Sequence, residues 1–118
     1  MIDAANVIGS RPTGWWRDRA GAARIFTERV RAAVAEGALD VPVTIVLEGQ
    51  SRAGVTAGDT SGVTVVHAPG EGDDTIAAIA AAHPGSIVVT ADRGLAERVR
   101  AVDATVVGPT WLLDRLAG

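Results

Sequence analysis

Carboxylate side chains follow the apolar runs of this sequence at several separate points. The acidic residues that share this position are Asp3, Glu48, Asp73, Asp74 and Asp92. Two carboxylates about 4 Å apart repel by roughly 4 kcal/mol at an effective dielectric near 20, so three or four together need protonation or a cation. Oxygen ligands suit a hard ion, and the pattern predicts a Mg²⁺ or Mn²⁺ site. Such an ion can activate a water and stabilise charge on a phosphoryl group.

The elements that would position these acids are strands alternating with amphipathic helices. Gly37 marks the end of a helix that Asp18 can cap at its start, and Pro109 suits the first turn of a last helix. Runs rich in Val and Ile predict strands at residues 1–5, 41–47, 63–68, 86–90 and 105–107. Further helices are predicted at 73–83 and 93–101, with loops at 9–16 and 51–62.

This alternation predicts an α/β fold with three layers, in which helices cover both faces of a mostly parallel central sheet. The 118 residues form one predicted domain, 1–118. In such sheets ligands bind beyond the carboxyl ends of the strands. The predicted topology therefore brings Asp3, Asp92 and one of the adjacent Asp73 and Asp74 to one edge, with Asp74 slightly favoured and Glu48 as a fourth member.

Each acid also has a purely structural interpretation. Asp73 and Asp92 can cap the helices that begin beside them. An acid at a helix amino terminus gains roughly 0.3–1 kcal/mol from the helix dipole. Independent caps have no reason to share an edge with Asp3, and the joint placement therefore favours a metal site.

Composition narrows the class of protein. The chain has no cysteine, which excludes thiolate chemistry and fits the reducing cytoplasm, the predicted location. No apolar stretch reaches the roughly 20 residues of a membrane span, and the start lacks the pattern of a signal peptide. The net charge is −3, yet all 11 basic residues are arginine, a side chain suited to binding phosphate in a two-pronged manner.

The segment 14–19, Gly-Trp-Trp-Arg-Asp-Arg, is expected near the acidic edge. Tryptophan can stack on unpaired bases and arginine can hold phosphates. The residues assigned to an RNA substrate are Arg11, Trp15, Arg17, Arg19 and Arg93. In the alternative interpretation this segment only packs on the sheet edge, and of the two tryptophans Trp16 is expected to pack while Trp15 stays available.

Three short motifs resemble those of one family. Asp3-Ala-Ala-Asn6-Val looks like the D-x-x-N-V start of NYN domains, which belong to the PIN-like nuclease superfamily. Gly72-Asp73-Asp74-Thr-Ile is similar to their A-D-D-x-I helix start, and the segment 89–95 is similar to their V-T-S-D-R-x-L strand end. The resemblance covers residues 3–107 and is nearest to the bacterial YacP-like NYN proteins.

This resemblance implies a PIN-like fold and metal-dependent hydrolysis of RNA phosphodiesters. The implied Mg²⁺ or Mn²⁺ ligands are Asp3, Asp74 or Asp73, and Asp92. Asn6 would orient a ligand or a bound water, and Thr90 would hydrogen-bond near the metal edge and contact the substrate. The family often has F-D-G where this chain has Leu47-Glu48-Gly49, so Glu48 would ligate directly or through water.

The function expected from these observations is an endoribonuclease. The expected partner is an RNA substrate, with no membrane and with a homodimer left open. One alternative is a non-catalytic RNA-binding module on the same fold. Another is a phosphatase or receiver, which would carry a phosphorylated aspartate.

Overall fold

The structure, a computed structural model, describes residues 1–11 and 13–117. Pro12, in the predicted loop 9–16, and Gly118, the last residue of the predicted domain, lie outside the described residues. The strands are β1 (Ile2–Asp3), β2 (Val43–Leu47), β3 (Gly58–Thr60), β4 (Val63–His67), β5 (Ile87–Val89) and β6 (Thr105–Val107). The helices are α1 (Ala4–Gly9), α2 (Arg19–Ala35), α3 (Gly72–Ala82), α4 (Arg93–Arg100) and α5 (Pro109–Leu116). Short 3-10 helices cover Trp15–Arg17 and Gly49–Gly54.

The described strands form one sheet in the order β3-β4-β2-β1-β5-β6. All neighbours are parallel except β3, which runs antiparallel to β4 at one edge. Ile2 of β1 pairs with Ile45 of β2 on one side and Val89 of β5 on the other. Strand β1 therefore lies inside the sheet, with β2, β4 and β3 on one side of it and β5 and β6 on the other. Open parallel sheets bind ligands at this kind of switch point, beyond the carboxyl ends of the strands.

Two apolar cores lie on opposite faces of the sheet because neighbouring strand residues point to opposite sides. One core joins Ile45 of β2 to Phe26 of α2 and Leu112 of α5. The other joins Val46 of β2 to helices α3 and α4. The predicted α/β architecture, a mostly parallel sheet with helices on both sides, is confirmed. No described helix has both the length and the apolar character needed to cross a membrane.

The first strand is shorter than its prediction. Residues 1–5 were expected to be extended, but β1 ends at Asp3 and α1 begins at Ala4. The carboxylate of Asp3 accepts a hydrogen bond from the backbone N–H of Asn6, which is a helix cap. Capping therefore ends the strand one residue after its apolar start and fixes Asp3 at the junction.

The predicted loop 51–62 contains two regular elements. A 3-10 helix covers Gly49–Gly54, and β3 occupies Gly58–Thr60. All three side chains of β3 are exposed, so the strand carries no apolar alternation by which a sequence could reveal it. Its pairing with β4 comes from the backbone alone.

The 3-10 helix after β2 packs directly on the start of α2. A β-carbon built on Gly54 would lie 1.9 Å from the backbone carbonyl oxygen of Ala20, a distance that no side chain can occupy. Glycine at this position therefore allows the two backbones to touch. This contact positions the segment that follows Glu48.

We expect Gly54→Ala to destabilise the fold by about 2–3 kcal/mol, because the added methyl group must push the two backbones apart. Gly70→Ala is the matched control, since no atom lies within 4 Å of a β-carbon there. Urea denaturation of both variants measures the difference. Equal unfolding midpoints would show that the close approach is not required.

Candidate functional site

Asp3 is the innermost acid of the carboxyl edge and has only 5% of its surface exposed. It lies at the end of β1, between β2 and β5. Burial raises the pKa of its carboxyl group to about 6. Hydrogen bonds from Thr90 and Asn6 act in the opposite direction and lower this pKa. The charges of Asp73 and Glu48 raise it further. The site therefore disfavours a charged Asp3 unless a positive charge is nearby.

Thr90 connects the first strand to the segment after β5. Its hydroxyl donates to Oδ2 of Asp3 at 3.0 Å and accepts the backbone N–H of Asp92 at 3.1 Å. Thr90 itself is 2% exposed. The predicted hydrogen bond of Thr90 near the edge is present. Thr90 also lines a shallow groove with Arg93, and its predicted contact with a substrate stays a prediction.

Asn6 holds the same segment from α1. Its Oδ1 atom accepts the backbone N–H of Ala91 at 2.7 Å. The side chain was expected to orient a ligand or a water. In the structure it joins α1 to the turn between β5 and α4, and the expected role towards a ligand or a water stays a prediction.

Asp92 caps α4, as the structural interpretation allowed. Its Oδ1 atom accepts the N–H of Leu95 at 2.9 Å. Asp92 is partly exposed. Capping and ligation are compatible here, because the cap uses one of the two carboxylate oxygens.

Glu48 makes a contact that the sequence did not predict. Its Oε2 atom accepts the N–H of Gly72 at 3.2 Å, so a residue after β2 caps the first turn of α3. Asp73, expected to cap this helix, lies inside its first turn instead. A pattern read along the chain identifies only local caps, and Glu48 is 24 residues away. This contact sets where α3 begins.

The two adjacent aspartates of α3 differ in their surroundings. Asp74 is 85% exposed and pairs with Arg98 of α4 at 2.9 Å, away from the buried end of the edge. Asp73 is partly buried, and the charges of Asp92 and Glu48 act on its carboxyl group. These surroundings favour Asp73 over Asp74 as a ligand, and the choice between the two stays a prediction.

The electrostatics of Asp73 show which acids are its neighbours. Burial raises the pKa of this carboxyl group, and the charges of Asp92, Glu48 and Glu71 raise it further. Arg98 opposes this increase. Asp73 also raises the pKa of Asp3. The acids predicted from strand ends therefore share one electrostatic environment.

The arrangement is not a ready-made metal cage. Within residues 1–11 and 13–117, no three acidic or histidine side chains lie close enough together to hold an ion in their present rotamers. The donors have the right chemistry, since carboxylate oxygens suit a hard cation. Binding would require side-chain rotation, for which partly exposed Asp73 and Asp92 have more room than buried Asp3.

The tryptophan segment has the opposite exposure from its prediction. Trp16 is 53% exposed, whereas Trp15 is partly buried and lies against Gly9. The two rings meet edge to face with centroids 6.3 Å apart. The guanidinium of Arg19 lies 5.4 Å from the centre of the Trp15 ring, and that of Arg17 lies 6.0 Å from Trp16. The expectation that Trp16 packs and Trp15 stays available is therefore corrected.

The other predicted arginines occupy two places. Arg11 is exposed at the end of α1, on the side of the tryptophan segment. Arg93 begins α4 and lines a shallow groove with Thr90 and Arg100, directly beside the acidic edge.

Replacing Thr90 tests the connection across the edge. We expect Thr90→Val to lower the free energy of unfolding by about 1–3 kcal/mol at neutral pH, because the charged Asp3 loses a buried donor. Thr90→Ser keeps the hydroxyl and serves as the control. Urea denaturation provides the measurement, and equal losses in both variants would mean that the methyl group, not the hydrogen bond, matters.

The raised pKa of Asp3 gives stability a defined pH dependence in metal-free buffer. The carboxyl is protonated in the folded state up to about pH 6, but only up to 3.8 when unfolded. Its contribution is present at low pH and is lost as pH rises through about 6. Asp3→Asn remains neutral and should lack this decline. Denaturation curves between these limits, with EDTA present, compare the two proteins, and parallel profiles would contradict the assignment.

A comparison of this chain with family models, with curated proteins and with solved structures finds no match. The acidic edge is therefore described from the structure of this chain alone.

Proposed function

We propose that this chain is a metal-dependent ribonuclease that cleaves RNA phosphodiester bonds at the acidic edge. The observation that supports this most is the common environment of Asp3, Glu48, Asp73 and Asp92 at the switch point of the sheet. Their mutual repulsion favours a cation. The resemblance to NYN domains of the PIN-like superfamily adds the expected substrate.

Asp73, Asp92 and Asp3 are the residues that would hold Mg²⁺ or Mn²⁺, with Glu48 nearby through its bond to Gly72. A bound ion of this type would supply charge neutralisation and a more acidic water. Thr90 and Asn6 keep the strand ends in register, since each bridges α1 or β1 to the segment after β5. Arg93 is positioned to bind a phosphate beside the carboxylates.

One observation favours the alternative, a non-catalytic RNA-binding module. Three of the acids already accept backbone N–H groups at helix starts, and none of the described acidic side chains forms a preassembled ion cage. In that case the acids would serve to hold the helices, and RNA would bind through the arginines.

Asp73 and Asp74 form a matched pair of substitutions because they are adjacent, identical in chemistry and differently placed. We expect Asp73→Asn to reduce RNA cleavage by roughly 100-fold or more, the size of effect seen when a charge-stabilising group is removed from an active site. Asp74→Asn should retain activity, since Asp74 faces Arg98 on the surface. The measurement is gel-based cleavage of a labelled RNA with Mn²⁺ or Mg²⁺.

EDTA should abolish this cleavage, and Asp92→Asn should do so without unfolding the protein, because asparagine caps helices as well as aspartate does. Equal activity in Asp73→Asn and in the unmodified protein would contradict the proposed site. RNA binding without cleavage at any concentration of either metal would support the binding module instead.

A further inference from the structure

A second site lies on the sheet face opposite α3 and α4, in a cavity of about 380 Å³. Helices α1, α2 and α5 and the tryptophan segment surround it. Its floor is apolar, with buried Val7 and Phe26 beneath the partly exposed side chains of Ile8, Trp15 and Leu113. The acidic edge uses none of these side chains.

The rim of this cavity is positively charged. Arg11, Arg24 and Arg29 line it and are exposed. Among its lining residues the one acid is Asp18, whose Oδ1 atom is already bound to the N–H of Gly21 at 2.9 Å. An apolar floor with such a rim is complementary to a flat aromatic group that has anionic groups attached beside it.

The arginines of the chain are concentrated in the segment that contains the rim of this cavity. Residues 11–31 contain six arginines and two acids, whereas the rest of the chain contains five arginines and twelve acids. A basic segment on an otherwise acidic protein attracts anions to one place. The guanidinium of Arg19, 5.4 Å from the Trp15 ring centre, adds to this positive surface.

We propose that this arginine-rimmed cavity holds an unpaired nucleobase of an RNA strand, whose flanking phosphates contact Arg11, Arg24 and Arg29. The substrate class would then be single-stranded RNA, because a base must leave its pair and its stack to enter a cavity. This inference rests on the proposed function, which makes RNA the substrate of the adjacent edge.

The position of α1 connects the two sites. The helix begins directly after Asp3 and ends at Gly9, beside Trp15. Its six residues span roughly 9 Å at about 1.5 Å each. That length corresponds to about two or three stacked nucleotides at about 3.4 Å per nucleotide. One strand can therefore occupy the cavity and the acidic edge together.

The test measures binding in EDTA, so that cleavage does not interfere. Fluorescence anisotropy would compare a labelled oligouridine strand with the same strand annealed to oligoadenine. We expect tighter binding of the single strand. Trp15→Leu should weaken it by about 5- to 100-fold, the effect of losing one stacked base.

Arg29→Ala leaves the apolar floor intact and tests the rim even if Trp15→Leu fails to fold. It should weaken binding. It should also make log K fall less steeply with log salt, by about 0.7 in the slope, which is the value for one phosphate contact to a single strand. Arg115→Ala is the matched control and should leave binding unchanged, because Arg115 stacks on Trp111 and lines a different groove with Met1 and Ser86.

Several results would overturn the inference. The first is equal binding of the duplex and the single strand. The second is equal binding by Arg29→Ala and the control. The third is full affinity for uridine monophosphate alone, which would identify a free nucleotide as the ligand. Displacement of the RNA by polyglutamate at equal strength would point to an acidic protein. Cleavage that is insensitive to Arg29→Ala would leave the proposed function standing, whereas cavity-dependent binding without cleavage would refute only the nuclease.

Discussion

The hydrogen bond from Thr90 to Asp3 is the contact on which the organisation of the acidic edge depends. It joins the end of β1 to the end of β5, 87 residues apart in the chain, at the place where the sheet changes its direction of growth. The same hydroxyl accepts the N–H of Asp92 and so fixes the start of α4. One buried side chain therefore sets the relative positions of two carboxylates. Asn6, through Ala91, repeats this connection from α1.

The carboxylates combine two tasks that are often separated. Asp3, Glu48 and Asp92 each accept a backbone N–H at a helix start, which stabilises the fold. Burial raises the pKa of Asp3 and of Asp73, and the neighbouring carboxylates raise it further, which disfavours the charged form of both groups. A cation would relieve the repulsion without breaking the caps, because a carboxylate has a second oxygen. Structural caps and a metal-dependent site are thus not exclusive interpretations of the same residues.

Charge is distributed so that the two surfaces complement each other. The acidic edge would repel an RNA backbone if it acted alone. If the chain binds RNA as proposed, Arg93 and the arginine-rimmed cavity would supply the attraction. Helix α1 begins directly after Asp3 and ends beside Trp15. This one helix therefore sets the distance between the acidic edge and the cavity. In the proposed function, a chain of net charge −3 would bind a polyanion through these local basic surfaces.

The sequence by itself determined the α/β class, the strands that carry Ile and Val, the cap at Asp18 and the position of Asp3, Glu48 and Asp92 at or just after strand ends, because these follow from local periodicity. It could not reveal β3, whose side chains are all exposed, or the early end of β1. Only the tertiary structure showed that Asp74 pairs with Arg98 on the surface, that Trp16 is more exposed than Trp15, and that Glu48 binds the N–H of Gly72. The reason is physical: which side of a helix is buried, and which distant backbone N–H a carboxylate meets, depend on packing between elements that are far apart in the chain.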